Sequence, residues 1–228
     1  MTEDVRIVEI AALVGDPARA NILSALMGGR ALTAKELACA ASVSPQTTSG
    51  HLGKLAGANL VAGVKQGRHR YFRIATPQVA EMLEAIMEVA AAAPPRYRPP
   101  SKADDAMRAA RTCYDHVSGL LGVRLADRLA ERELIILGAE AGEVTPAGTE
   151  FLSKLGVYLS AARTRRRVFS RPCMDWTERR PHIGGAVGAA LARRLFDLKW
   201  IERMRDSRAL MITPAGRRGL FETFAISL

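Results

Sequence analysis

Ser44-Pro45-Gln46-Thr47-Thr48-Ser49-Gly50-His51-Leu52 is the stretch whose reading decides the fold of the first half of the chain. Ser44 followed by Pro45 suits the start of a helix: the hydroxyl accepts from an amide that lacks a partner, and proline gives up no hydrogen bond at the first helical position. Gln46, Thr47, Thr48, Ser49 and His51 then crowd the N-terminal half with short hydrogen-bonding groups, while Leu52 and Leu55 form an apolar face and Lys54 a basic one. Upstream, Thr33 and Glu36 have capping-box spacing for a helix over Ala34 to Ala40, and Ser42-Val43-Ser44 makes a tight turn. Two short helices joined by such a turn form a helix-turn-helix.

Working outward, Val5 to Val14 reads as an amphipathic helix. Asp16-Pro17 opens another over Ala18 to Met27, which Gly28-Gly29 stops. Leu60 to Lys65 and Tyr71 to Ala75 read as strands of a hairpin around Gln66-Gly67-Arg68-His69, and Pro77 to Ala93 as a closing helix. From Leu37 to Ala80 there is no Asp or Glu, whereas Lys54, Lys65, Arg68, Arg70 and Arg73 are basic. A recognition helix followed by a basic hairpin is the outline of a winged helix that reads double-stranded DNA. In that reading Ser44, Gln46, Thr47, Thr48, Ser49 and His51 meet the groove, and Lys54, Arg68, His69 and Arg70 meet the backbone.

The whole chain fits a polyanionic partner, with 33 Lys and Arg against 23 Asp and Glu over 228 residues. No run approaches the roughly 18 apolar residues of a membrane span, and the first residues lack a signal-peptide pattern, so the expectation is a cytoplasmic protein without a membrane partner. Three scattered cysteines, Cys39, Cys113 and Cys173, are too few for a disulfide framework. Cys39 reads as a small core residue. Pro94-Pro95-Arg96-Tyr97-Arg98-Pro99-Pro100 cannot be helical, so the domain boundaries are set at 1–93, a linker at 94–100, and 101–228.

The run Asp16-Pro17-Ala18-Arg19-Ala20-Asn21-Ile22-Leu23, the recognition-helix stretch, and Gln66-Gly67-Arg68-His69-Arg70-Tyr71-Phe72 together resemble the ArsR/SmtB family of bacterial winged-helix repressors, in that family's order and spacing. The resemblance implies a homodimer that pairs through its first and last helices, with Ile7, Ile10, Leu13 and Val14 against Met82, Leu83, Ile86 and Val89. Such a dimer would set two recognition helices on a pseudo-palindromic operator. The family's familiar metal sites do not carry over: Thr33 and Lys35 stand where one cysteine motif would lie, and Pro77 to Ala93 has no histidine. Any sensing must lie past the linker.

The second half is duplicated. Asp115 to Leu129 matches Pro181 to Leu195 with His116 over His182, and Val144-Thr145-Pro146-Ala147-Gly148 matches Ile212-Thr213-Pro214-Ala215-Gly216. Each copy reads as helix, helix, hairpin and a Thr-Pro-started helix, giving two winged-helix-like pseudo-repeats. The fold class expected for the chain is therefore mostly α, within α+β. Residues 1–93 carry nine basic and eight acidic side chains, so most of the positive excess lies in 94–228, densest at Arg163, Arg165, Arg166, Arg167 and Arg171.

Cys113 and His116 precede the first repeat helix, and Cys173 and His182 the second, with Asp175 and Trp176 nearby. Placed on one face of a helix, Cys113 and His116 could meet their counterparts across a pseudo-two-fold axis. Two thiolates and two imidazoles form a closed set for Zn or a similar thiophilic ion. The alternatives are satisfied core residues, a pocket for an organic effector or haem around Trp176, Tyr114 and Phe169, or a redox pair. No motif for catalysis appears, so the chain is expected not to be an enzyme. The function expected is an effector-responsive transcriptional repressor. A low-specificity architectural DNA-binding protein and a thiol or metal enzyme fused to a winged helix are the alternatives.

Overall fold

The computed structural model describes residues 3–66, 69–92, 102–160, 168–205 and 207–228, and the chain divides into two compact units, Met1–Ile86 and Met87–Leu228. The proline run, Arg68 and the arginines from Arg163 to Arg167 lie outside the described residues. Among those described, no helix is long and apolar enough to cross a membrane.

In the first unit α1 (Glu3–Val14) and α2 (Pro17–Leu26) are followed by β1 (Leu32–Thr33), α3 (Ala34–Ala41), α4 (Pro45–Gly57), β2 (Val61–Gln66) and β3 (His69–Ile74), and α5 (Pro77–Ala92) begins in it and runs on past Ile86. The caps are those the sequence signals: Asp16 Oδ1 accepts from Arg19 N at 2.9 Å, Thr33 and Glu36 close a capping box, and Ser44 Oγ accepts from Thr47 N at 3.1 Å. β1, β3 and β2 form one antiparallel sheet in that order, with Val61 facing Ile74 and Gln66 facing His69. Both hairpin strands run closer to the tip than expected, because the pairing continues through Lys65 and Arg70. Ile22, Leu23, Leu26, Leu37, Leu52, Leu55, Phe72 and Ile74 fill the core. Cys39 is exposed, which corrects its reading as a core residue: Leu37, Ala38 and Ala41 supply the buried face of α3 instead.

The second unit begins with α6 (Lys102–Ala109). One copy follows as β4 (Arg111–Cys113), β5 (His116–Ser118), α7 (Gly119–Glu131), β6 (Ile135–Leu137), β7 (Gly142–Val144) and α8 (Pro146–Lys154). The other is β8 (Arg171–Met174), β9 (Pro181–Gly184), α9 (Gly185–Asp197), β10 (Ile201–Arg203), β11 (Leu210–Ile212) and α10 (Pro214–Phe224). Equivalent residues do equivalent work. Thr145 Oγ1 accepts from Gly148 N at 3.0 Å and donates to Glu133 O at 2.9 Å; Thr213 Oγ1 accepts from Gly216 N at 2.9 Å and donates to Lys199 O at 2.7 Å. Leu121, Leu125 and Leu129 on α7 correspond to Val187, Leu191 and Leu195 on α9, and all six lie in one continuous core.

The copies embrace each other. α7 packs on β9 and α9 on β5, while Leu210 N donates to Ala110 O at 2.8 Å and Gly142 N to Ser170 O at 2.9 Å, so the base of each leading hairpin joins the other copy's second hairpin. Within each copy the helix turns hard against the strand that leads into it, which requires glycine at two matched positions: a Cβ on Gly122 would overlap the Val117 carbonyl and one on Gly188 the Ile183 carbonyl. Gly188→Ala is expected to destabilise the protein by about 1–3 kcal/mol through overpacking, read as a lowered urea midpoint at unchanged slope.

Candidate functional site

In the first unit the recognition helix presents Gln46, Thr47, Ser49 and Lys54 to solvent, with Ser44 exposed at its cap. Thr48 corrects the expectation of a groove contact: its side chain is fully buried and its hydroxyl donates to Ser44 O at 2.9 Å, tying the turn to the helix. His51 is half-buried, with its Nδ1 3.5 Å from Arg19 Nη1. Arg19 itself was missed as a positioning residue. Its guanidinium donates to Leu13 O at 2.8 Å and Ala12 O at 2.9 Å, satisfying the end of α1 while it braces α4. In the hairpin His69 and Arg70 are exposed, and Arg70 lies over the Phe72 ring at 5.3 Å in the space left by Gly63.

In the second unit Cys113, His116, Cys173 and His182 converge, with their ligating atoms all within 4.8 Å of one another. All four are buried. The route to this cluster differs from the expected helix face. Cys113 and His116 are partners across the β4–β5 hairpin, which β-branched Thr112 and Val117 favour and which turns through left-handed Tyr114 (φ 56°). Cys173 and His182 are partners across β8–β9 in the same way. Each hairpin thus contributes one sulfur and one imidazole, and the two rings meet at Nε2 to Nε2, 3.1 Å apart.

Both rings have a carboxylate behind them. Asp115 Oδ1 lies 3.4 Å from His116 Nδ1, and Asp175 Oδ2 lies 3.9 Å from His182 Nδ1, a buried atom with no hydrogen-bond partner. Asp175 is a hub. Its Oδ2 accepts from Arg111 Nη2 at 2.8 Å and from Gly119 N at 2.6 Å, at the start of α7; its Oδ1 accepts from Thr177 N, Thr177 Oγ1 and Glu178 N. Arg111 also stacks on Trp176 at 4.3 Å from guanidinium carbon to ring centre. Arg111 is the second residue missed from the sequence, although Arg171 occupies the matched position on β8.

The environment sets the charges. Burial works against ionised Asp175, yet Arg111 and the converging donors hold its carboxyl well below the usual range. Burial, and then the nearby His116, pushes His182 well below the ordinary imidazole value. The hydrogen bond shared with Cys173, followed by burial, pushes the Cys113 thiol well up. The gap between α7 and α9 beneath the cluster, lined by Val117, Gly122, Leu125, Ile183, Gly188 and Leu191, is about 10 Å³. It is lined by apolar side chains and is no larger than a single water.

A family described as a helix-turn-helix domain matches residues 14–64. A curated relative, the uncharacterized HTH-type transcriptional regulator YdfF of Bacillus subtilis (strain 168), is 43% identical over 211 residues, 92% of this chain and 93% of its own length. The chain therefore belongs to the HTH-type transcriptional regulators, and its three N-terminal motifs, set on a winged helix, resemble those of the ArsR type. Similar solved structures include the winged helix-turn-helix domain of Mb0332 from Mycobacterium bovis, a possible ArsR-family transcriptional regulator, at 25% identity and TM-score 0.35 over 37% of this chain and 78% of that one. NolR from Sinorhizobium fredii matches at 26% identity and TM-score 0.37 over 40% of this chain and 90% of that one.

Replacing Arg111 with Met leaves a buried carboxylate without its partner, and the expected cost is about 3–5 kcal/mol at neutral pH. Because the folded Asp175 carboxyl is depressed, its contribution is present above the unfolded value of about 3.9 and is lost as pH falls from there through the folded value. The gap between wild type and Arg111→Met in urea midpoint should therefore narrow on acidification, since protonation relieves the unpaired charge in the variant.

Proposed function

We propose that the protein is a homodimeric transcriptional repressor that binds a pseudo-palindromic operator and is controlled by an effector held at Cys113, His116, Cys173 and His182. The observation that carries this reading is the presence in one chain of a recognition helix that exposes Gln46, Thr47 and Ser49 to solvent, and a buried sulfur and imidazole cluster built by a duplicated domain. The exposed helix start can also hold a phosphate through its amides, while Lys65, His69 and Arg70 supply backbone contacts along the wing.

Dimerisation is supported by apolar residues left open on the first and last helices of the DNA-binding half: Ile7 is 67% exposed, Val8 68%, Ile86 44% and Val89 74%. Leu83 is buried within its own chain and is not part of that face. A two-fold through these helices sets two recognition helices about 34 Å apart, one turn of DNA. The protein acts by binding rather than by catalysis: with its thiol pushed up and its imidazoles buried, the cluster lacks an accessible nucleophile. A regulator of this kind works in the cytoplasm, where the DNA is.

Gln46→Ala should lose discrimination at one base position by about 1–3 kcal/mol, whereas Arg70→Ala should weaken binding to every sequence and lower the salt slope by about one. Fluorescence anisotropy on selected operators and single-base variants reads both. Equal losses on all sequences for Gln46→Ala would move base readout to another element. For control by the effector, operator affinity of the reduced wild type should change when Zn(II) is added, and that of Cys113→Ser with Cys173→Ser should not.

A further inference from the structure

The cluster is closer to a coordination sphere than shared burial alone would make it. In a tetrahedral site with Zn–N of 2.0–2.1 Å and Zn–S of about 2.3 Å, two nitrogens lie about 3.4 Å apart and two sulfurs about 3.8 Å. The Nε2 atoms already stand 3.1 Å apart, and the four ligating atoms lie within 4.8 Å of one another. An ion therefore enters by small ring rotations rather than by rebuilding the hairpins. The orphaned Nδ1 of His182 points to the same conclusion from the opposite edge of the ring. A buried polar atom without a partner is costly, and Asp175 Oδ2 lies 3.9 Å away, held in place by hydrogen bonds from Arg111 Nη2 and Gly119 N.

We propose that this site takes one thiophilic divalent ion of the Zn(II) class, ligated by Sγ of Cys113 and Cys173 and by Nε2 of His116 and His182, with Asp115 and Asp175 positioning the two rings through Nδ1. The two thiol protons leave to solvent as the thiolates bind. The ring that donates across the Nε2 pair gives up that hydrogen and takes one at its own Nδ1 by exchange with water, so each neutral ring carries its single hydrogen on Nδ1 and donates it to the carboxylate behind. Such carboxylate-backed imidazoles fix the tautomer and strengthen the ligand. Four protein ligands close the sphere, so the ion organises structure rather than activating water. Two thiolates with two imidazoles do not serve an ion that needs three sulfurs. Regulation by this ion rests on the effector reading above; the coordination itself does not.

The test uses full-length protein, reduced and stripped with a chelator. Zn(II) is titrated against a competing chromophoric chelator, with Co(II) as the spectroscopic probe, and operator affinity is measured on the same samples. The expected result is one ion per chain, with tetrahedral Co(II) bands and thiolate charge transfer that weakens in Cys113→Ser and in Cys173→Ser. Asp115→Asn, at a partly exposed position, should keep the tetrahedral spectrum and lose about 10–100-fold in affinity. Absence of stoichiometric uptake by reduced wild type, an octahedral Co(II) spectrum, or wild-type affinity in Asp115→Asn would overturn the proposal. Tight tetrahedral uptake with unchanged operator affinity would uphold the metal centre and overturn its role as effector site. Loss of uptake alone would leave operator binding standing.

Discussion

The second unit turns on a charge that is almost entirely removed from water. The Arg111 and Asp175 side chains are 1% and 0% exposed, and stripping an ion pair of solvent costs several kcal/mol per ion unless every lone pair and N–H finds a partner. Here the surroundings meet that condition. Asp175 accepts five hydrogen bonds besides facing His182, and Arg111 is shared among Asp175, Thr177, the Met107 carbonyl and the Trp176 ring. The donors come from the first hairpin, the start of α7 and the loop of the second hairpin, so the pair fixes these segments relative to one another before the sulfurs and imidazoles are considered. The geometry of the cluster is inherited from that arrangement.

The DNA-binding half was legible because its signals are local. Asp16, Thr33 and Ser44 cap the helices they precede, and the alternation around Gly67 gives the hairpin, since caps and turns depend on a few neighbouring residues. What sequence could not give was the direction of individual side chains. Thr48 looks like its polar neighbours, yet sits one turn after the cap on the inward face of α4 and is consumed by Ser44 O. Cys39 has the composition of a core residue, but the core face of α3 is completed by Leu37, Ala38 and Ala41.

The duplicated half was legible in its repeat and not in its leading elements. His116 matches His182 at a separation of 66 residues, but Cys113 matches Cys173 at 60, because the second hairpin holds a loop six residues longer overall than the first between the paired cysteine and histidine. At a constant offset of 66 the histidines fall into register and the strands before them out of it. Short strands of three or four residues carry little periodicity of their own, and the Cys-x-x-His spacing was equally compatible with a helix turn. Arg111 and Arg171 fall into line only when the hairpins are aligned on their cysteines. Asp115 and Asp175 match at the same offset and each stands behind one ring, but only Asp175 also gathers Arg111, Gly119 N, Thr177 and Glu178 N, so the two halves repeat the same four residue types and differ in what supports them.

Each hairpin lends one sulfur and one nitrogen, so neither half could close the set alone. Were the two copies separate molecules, the cluster would form only where they met, at sufficient protein concentration. Fusing the copies turns that encounter into an intramolecular one with a high effective concentration. The cluster in this chain is consequently insensitive to dilution, and the longer loop carrying Asp175 is free to differ on one side without spoiling a partner that must remain identical.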